Sequence, residues 1–372
     1  MRKHSLLKTQ SQLQPMEVNR SYRDIHSKFK LNGVGYNLEA LKEVAYSLIK
    51  EGELYERSIG NFLLDWLNPK NTIAVKTSGS TGTPKVIQLQ KQQMVHSALA
   101  TGTYFALQAG DRALLCLPAQ YIAGKMMLVR AMVLGLELDY VRSSSYPLAQ
   151  IEKEYDFGAM VPLQLGNSIN KMEQFRTLIV GGAPLSDPLR QQVGTKSTRV
   201  YETYGMTETI THIAVREINT GNSHFSAMPN VQFTKDERGC LIITAPMIST
   251  EPVATNDMVH LISKTEFEWL GRYDNVINSG GVKLFPEQIE AKLVPFIPNP
   301  FFVASLPDQA LGQKLIVVLE GTIDLHELEN TLKSEGVLER FEFPKELYTL
   351  PKFLKTDTGK IRRKETIALL DI

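Results

Sequence analysis

Two cysteines in 372 residues, Cys116 and Cys240, stand far apart and match neither zinc-ligand spacing nor a disulfide framework. Isolated thiols of this kind suit a reducing compartment, where each acts as a small buried apolar residue. An excess of one charge is also lacking. Lysine and arginine number 41 against 40 acidic residues, a formal net charge of +1. That balance excludes bulk attraction to nucleic acid or to an anionic membrane surface. Long apolar runs are missing as well. The most apolar stretch, residues 126–141, is broken by Arg130, Glu137 and Asp139 and falls short of a bilayer crossing. The opening Met1-Arg2-Lys3-His4-Ser5-Leu6-Leu7 is basic but has no continuous apolar core behind it, so no secretory signal is expected. A cytoplasmic chain without stable membrane insertion follows. Internal repeats and low-complexity tracts are absent too.

What is present is an ordinary globular composition, 43% apolar and 22% charged, in a chain long enough for two cores. One segment stands out: Thr77-Ser78-Gly79-Ser80-Thr81-Gly82-Thr83-Pro84-Lys85, directly after the strand-like Thr72-Ile73-Ala74-Val75. Its glycines let the backbone turn and present several N–H groups to one anion. The hydroxyls add donors, and Lys85 adds a mobile positive charge suited to phosphate oxygens. The spacing is G-x-x-G-x-x-K, which departs from the common G-x-x-x-x-G-K-[ST] nucleotide loop. A flexible linker is the other reading, but it gives no reason for the Pro84-Lys85 ending.

Residues 1 to about 70 are mixed in character, with one amphipathic helix expected over 38–50. From 71 to about 250, short apolar runs such as 113–117, 177–180 and 241–243 alternate with helical patterns, as buried strands of an α/β sheet do. Gly181-Gly182 reads as a strand end where a ligand or backbone approaches closely. A boundary is expected near Gly271-Arg272-Tyr273-Asp274. Beyond it lie a hairpin turn at Asn278-Ser279-Gly280-Gly281, a helix start at Pro286, strands over 301–306 and 315–319, and a helix over 324–334.

Four more segments complete a series: Tyr204-Gly205-Met206-Thr207-Glu208-Thr209, Thr255-Asn256-Asp257, the block 271–290, and Lys355-Thr356-Asp357-Thr358-Gly359-Lys360-Ile361-Arg362-Arg363. With 77–85 and Gly181-Gly182-Ala183, their order along residues 77–363 resembles the adenylate-forming superfamily of acyl-CoA synthetases. The fold that this resemblance implies is α/β. A large N-terminal α/β domain, 1–272, would bind ATP and the acid, and a small mobile α+β C-terminal domain, 273–372, would carry a catalytic lysine.

The implied chemistry is ATP-dependent ligation of a carboxylic acid to CoA, with ATP, Mg²⁺ and CoA as cofactors. A carboxylate is a poor electrophile, so AMP is attached to it and pyrophosphate leaves; a thiol then displaces AMP. Two anions meet in the first step, and positive charge with oriented donors must offset their repulsion. By resemblance, Thr77, Ser78, Gly79, Ser80, Thr81, Gly82, Thr83 and Lys85 would hold the β- and γ-phosphates. Thr207 would bond the α-phosphate, and Glu208 would bind Mg²⁺. Tyr204 would stack on adenine beside Gly181, Gly182, Ala183 and Gly205, while Asp257 and Arg272 would hold the ribose. Lys360 would be the catalytic lysine, Asp274 the hinge, and Gly280, Gly281 and Lys283 the group that enters for thioester formation.

Two features depart from the family pattern. Val86 follows Lys85 where glycine is usual, and only about 76 residues precede the phosphate loop, so a shortened N-terminal domain is expected. Residues 117–127 and Thr209-Ile210-Thr211-His212-Ile213-Ala214 are most similar to the o-succinylbenzoate–CoA ligase branch of the superfamily, which serves menaquinone biosynthesis. That acid is a dianion, so a fixed positive group or strong donor should meet its second carboxylate. Lys125 and His212 are the candidates. Another aryl- or acyl-CoA ligase, a stand-alone domain loading a carrier protein, and a non-enzymatic nucleotide-binding relic remain the alternatives. The oligomeric state is not legible.

Overall fold

The computed structural model describes residues 20–76, 86–355 and 361–370. Among the described residues the first elements are a short ladder, β1 (Lys30–Leu31) and β2 (Val34–Gly35), followed by α1 (Leu38–Lys50) and α2 (Leu54–Leu67). Asn37 caps α1 by accepting the Ala40 N–H at 2.9 Å, and the Glu56 carboxylate turns back to the Glu53 N–H at 2.8 Å to start α2. Leu41 and Ala45 of α1 pack with Phe62, Leu63 and Trp66 of α2. β3 (Thr72–Lys76) and β4 (Val86–Gln90) form a two-stranded antiparallel ladder in which Lys76 is paired with Val86. The segment 77–85 joins them and lies outside the described residues.

Next come α3 (Lys91–Phe105), β5 (Arg112–Leu115), α4 (Ile122–Leu134), β6 (Glu137–Tyr140), β7 (Tyr155–Met160), α5 (Pro162–Asn167), β8 (Phe175–Val180), α6 (Asp187–Gly194) and β9 (Arg199–Gly205). Antiparallel strands follow: β10 (His212–Glu217), β11 (Phe225–Ala227), β12 (Gln232–Lys235), β13 (Cys240–Thr244), β14 (Val253–Ser263) and β15 (Glu266–Arg272). One sheet of 13 strands collects them in the order β12-β13-β14-β15-β11-β10-β9-β8-β7-β5-β6-β1-β2. From β9 to β1 it is parallel. Alternation along β5 explains why it is covered on both faces. Ala113 and Leu115 enter the core shared with α1 to α4, while Leu114 and Cys116 enter the core shared with α5 and α6.

A second sheet is built from β16 (Ile277–Ser279), β17 (Val282–Leu284), β18 (Phe301–Asp308), β19 (Gly312–Glu320) and β20 (Glu346–Leu350). Gly280 and Gly281 form the two-residue turn between β16 and β17, with φ of +56° and +82°. Two successive positive φ values are what a tight hairpin of the right-handed twist requires. α7 (Pro286–Leu293) and α8 (Leu325–Glu335) cover one face of this sheet; α9 (Arg363–Ile367) and Phe353 cover the other. Among the described residues, no helix is long and apolar enough to cross a membrane.

Candidate functional site

The carboxyl ends of parallel strands gather the candidate residues, as expected for open α/β sheets. Gly181, Gly182 and Ala183 leave the end of β8, and Tyr204 and Gly205 close β9. Gly205 has no room for a side chain, since a Cβ there would stand 2.3 Å from the Thr211 carbonyl oxygen. Asp257, on β14 and only 5% exposed, accepts from Tyr204 Oη at 2.6 Å and from Trp269 Nε1 at 3.2 Å. Arg272 Nη1 stands 3.5 Å from the same carboxylate. Burial and then the Asp257 charge push the Tyr204 hydroxyl far above its ordinary pKa, so it stays a donor. A carboxylate has about four acceptor positions, which leaves Asp257 capacity for a sugar hydroxyl.

Residues 207–209 form a single 3₁₀ turn after β9. The side chains of Thr207 and exposed Glu208 have no hydrogen-bond or ion-pair partner among the described residues. The turn ends in a strained way. Buried Ile210 has φ +67° and ψ −57°, and the Thr211 N–H donates to Thr209 O at 2.7 Å, a γ-turn of the rare positive-φ kind. It aims Thr211 and His212 back into the core beside α4.

There the structure assembles a cluster that the sequence did not announce. α4 is buried on all sides from Gly124 onward, yet it carries Arg130, 1% exposed. Arg130 Nε donates to Thr101 Oγ1 at 3.3 Å, and Nη2 donates to Thr211 Oγ1 at 3.2 Å. Nη2 also lies 3.4 Å from His212 Nδ1, and Nη1 finds only the Met127 sulfur at 3.7 Å. No carboxylate pairs with Arg130 among the described residues. Burial pulls its pKa down to about 9, which leaves it charged at neutral pH. His212 is held well below its ordinary value by burial and by the Arg130 charge. Thr101 Oγ1 donates to Ser97 O, so it accepts at 3.5 Å from His212 Nε2–H, and the neutral ring offers Nδ1 to Arg130.

Lys125, also on α4, donates to Ala119 O at 2.9 Å and lies 5.1 Å from the centre of the Phe62 ring. Burial lowers its pKa. His212 therefore joins the Arg130 cluster, while the Lys125 amino group is engaged with the turn before α4. Lys283 is exposed on β17. Thr77, Ser78, Gly79, Ser80, Thr81, Gly82, Thr83, Lys85 and Lys360 lie outside the described residues.

A cleft of about 1060 Å³ opens beside these strand ends. Gly182, Tyr204, Asp257 and Trp269 line it from the large sheet; Glu287, Gln288 and Arg363 line it from the second unit. Sequence reading missed Trp269, Thr101 and Arg130. The signal for Arg130 lies in the sequence as the second cation, after Lys125, of the otherwise apolar helix α4.

The sequence model for AMP-binding enzymes matches residues 50–234. The crystal structure of an acyl-CoA synthetase (AMP-forming)/AMP-acid ligase II-like protein from Dyadobacter fermentans is 36% identical, with a TM-score of 0.59. The alignment covers 88% of this chain and 97% of that one. The 2-succinylbenzoate–CoA ligase of Oceanobacillus iheyensis is 22% identical over 91% of this chain and 75% of its own length. O-succinylbenzoate coenzyme A synthetase from Bacillus subtilis, solved with ATP and magnesium, shares the fold at a TM-score of 0.68 and 20% identity, over 79% of this chain and 69% of that one.

Proposed function

Because the chain belongs to the AMP-binding enzyme family, we propose that it is an AMP-forming acid–CoA ligase acting on 2-succinylbenzoate or a close aromatic dicarboxylate. The observation that carries the substrate assignment is Arg130. A fully buried guanidinium without an anion is costly, and a ligand carboxylate would supply the missing partner. Thr101 and Thr211 fix the fork, and neutral His212 accepts from it without adding charge. Arg130 takes over the role that the sequence suggested for Lys125. Lys125 in turn fixes the Ala119 turn that leads into the same helix.

In the proposed reaction the second carboxylate pairs with Arg130, which leaves the succinyl carboxylate facing the nucleotide. One of its oxygens attacks the α-phosphorus and pyrophosphate departs. The CoA sulfur then attacks the acyl carbon, loses its proton, and AMP departs. Tyr204, Asp257, Trp269 and Arg272 orient the nucleoside. Thr207 offers its hydroxyl to the α-phosphate. By resemblance, Lys85 holds the terminal phosphates and Lys360 stabilises the charge that builds between carboxylate and phosphorus. Glu208 fits a magnesium ligand, being an exposed carboxylate, unpaired among the described residues, that could share a hard cation with substrate phosphates. When bound, that ion neutralises phosphate charge.

The two sheets divide between β15 and β16, and we place the domain boundary at 272/273 with its hinge at Asp274. Asp274 accepts from Asn256 Nδ2 at 3.2 Å, next to the ribose-binding Asp257. Buried, unpaired Cys116 and Cys240 accord with a cytoplasmic setting. ATP–pyrophosphate exchange with 2-succinylbenzoate against a panel of mono- and dicarboxylates tests the reading. Exchange restricted to monocarboxylates would overturn the substrate assignment, and no exchange with any acid would overturn the ligase.

A further inference from the structure

Beneath the wall of the cleft lies a charged group that the reaction above does not use. Glu202, two residues before Tyr204 on β9, is 4% exposed and accepts from four donors. Its Oε2 takes Arg190 Nη2 and Arg216 Nη2, each at 2.6 Å, and Arg216 Nε at 3.2 Å. Its Oε1 takes the Leu185 backbone N–H at 3.1 Å. Arg190 returns to the same loop through Leu185 O at 3.2 Å. Arg216 holds Ser223 O at 2.8 Å and lies 4.7 Å over the Phe225 ring, which packs on Tyr204. One carboxylate thus ties the loop after β8, α6, β10 and the loop before β11 into a unit, and all four border the cleft.

We propose that Glu202 is a positioning residue for the nucleotide base. It fixes the height of residues 182–185 against β9, so that their backbone N–H and C=O groups meet the base edge without rearrangement. Oε2 takes three of the four donors and Oε1 the fourth, and guanidinium groups from both α6 and β10 clamp the carboxylate, which makes the arrangement rigid rather than adaptable. This inference rests on the reading of the cleft as a nucleotide site, and its test separates the two.

The Glu202→Gln variant keeps an acceptor for Leu185 but turns an amide N–H₂ toward two guanidinium groups. Its ATP KM should rise about tenfold, the loss of roughly one hydrogen bond, with AMP affinity by calorimetry falling in parallel. The acid KM should hold, and the preference for ATP over GTP should shrink. Arg190→Gln, which spares the Glu202–Arg216 pair, should move the same quantities less and covers a Glu202→Gln protein that does not fold. In wild-type protein the Leu185 amide should exchange hydrogen slowly before any nucleotide is added. A lower melting temperature with ATP KM, AMP affinity and base preference unchanged would overturn the proposal, as would a freely exchanging Leu185 amide. If wild-type protein bound AMP but released no pyrophosphate with any acid, the ligase reading would fall while AMP calorimetry still decided the role of Glu202. A wild-type protein that binds no AMP would overturn both.

Discussion

In the proposed substrate site, Arg130 would trade stability for binding. In the free protein its charge is buried with two hydroxyls, a neutral ring and a sulfur for company. Replacing it with a shape-matched apolar residue removes a desolvation cost, as buried charges elsewhere have shown. Arg130→Met is therefore expected to melt at the same temperature as wild type or higher. It should also lose about 1.5–3 kcal/mol of affinity for the dicarboxylate, the worth of a hydrogen bond to a charged group, which is roughly 10- to 150-fold in acid KM. An unchanged ATP KM completes the signature. His212 gives a second expectation at this scale. Its folded pKa lies below that of the unfolded chain, so between those two values the unfolded state binds a proton that the native state refuses. Stability is complete above about pH 6.5 and falls by at most about 1.4 kcal/mol per unit as the pH drops below it. His212→Asn should flatten that slope in denaturant titrations run from pH 7 to pH 5; an identical slope would show that the ring is not buried neutral.

At the scale of elements, β15 and α7 meet closely where one sheet unit crosses to the other. A Cβ on Gly271 would stand 2.5 Å from Glu287 Oε2, and the other oxygen of Glu287 accepts from Asn275 Nδ2 at 2.5 Å. Oε2 is buried without a hydrogen-bond partner among the described residues, so its room depends on glycine facing it. Gly271→Ala should cost about 1–3 kcal/mol by overpacking. Adding Glu287→Ala in that background should return part of it, a coupling that a double-mutant cycle in urea reads directly. Additive effects would mean that the two residues do not press on each other. The γ-turn at Ile210 is a comparable device: a strained peptide unit that turns the chain from the exposed Glu208 to the buried His212 within four residues.

On the scale of the whole molecule, the cleft takes its walls from both sheets, so its chemistry depends on how the second unit sits. Lys360, outside the described residues, belongs to that unit in sequence. Lys360→Ala is expected to slow ATP–pyrophosphate exchange at least about a hundredfold, in line with the loss of a charge aimed at the transition state. Thioester formation from chemically made acyl-adenylate should be slowed far less if, as the resemblance implies, rotation at the Asp274 hinge withdraws the lysine before that step. Equal loss in both half-reactions would argue against a second unit that changes position.

Much was legible in the sequence because it is local. α1 runs over 38–50 because its apolar spacing and Asn37 cap specify it, and Gly280-Gly281 turn because only glycine adopts two positive φ values cheaply. The order of Tyr204, Thr207, Glu208, Asp257 and Arg272 pointed to adenylate chemistry before any contact was known. β11 and β20 were not read, since such short strands owe their existence to partners far along the chain, β15 and β19. The pairing of Arg130 with Thr101, Thr211 and His212, and the anchoring of Lys125 on Ala119, were decided by tertiary structure alone. Which way a charged side chain points from a helix buried on every side depends on what the rest of the chain packs around it, and no local pattern encodes that.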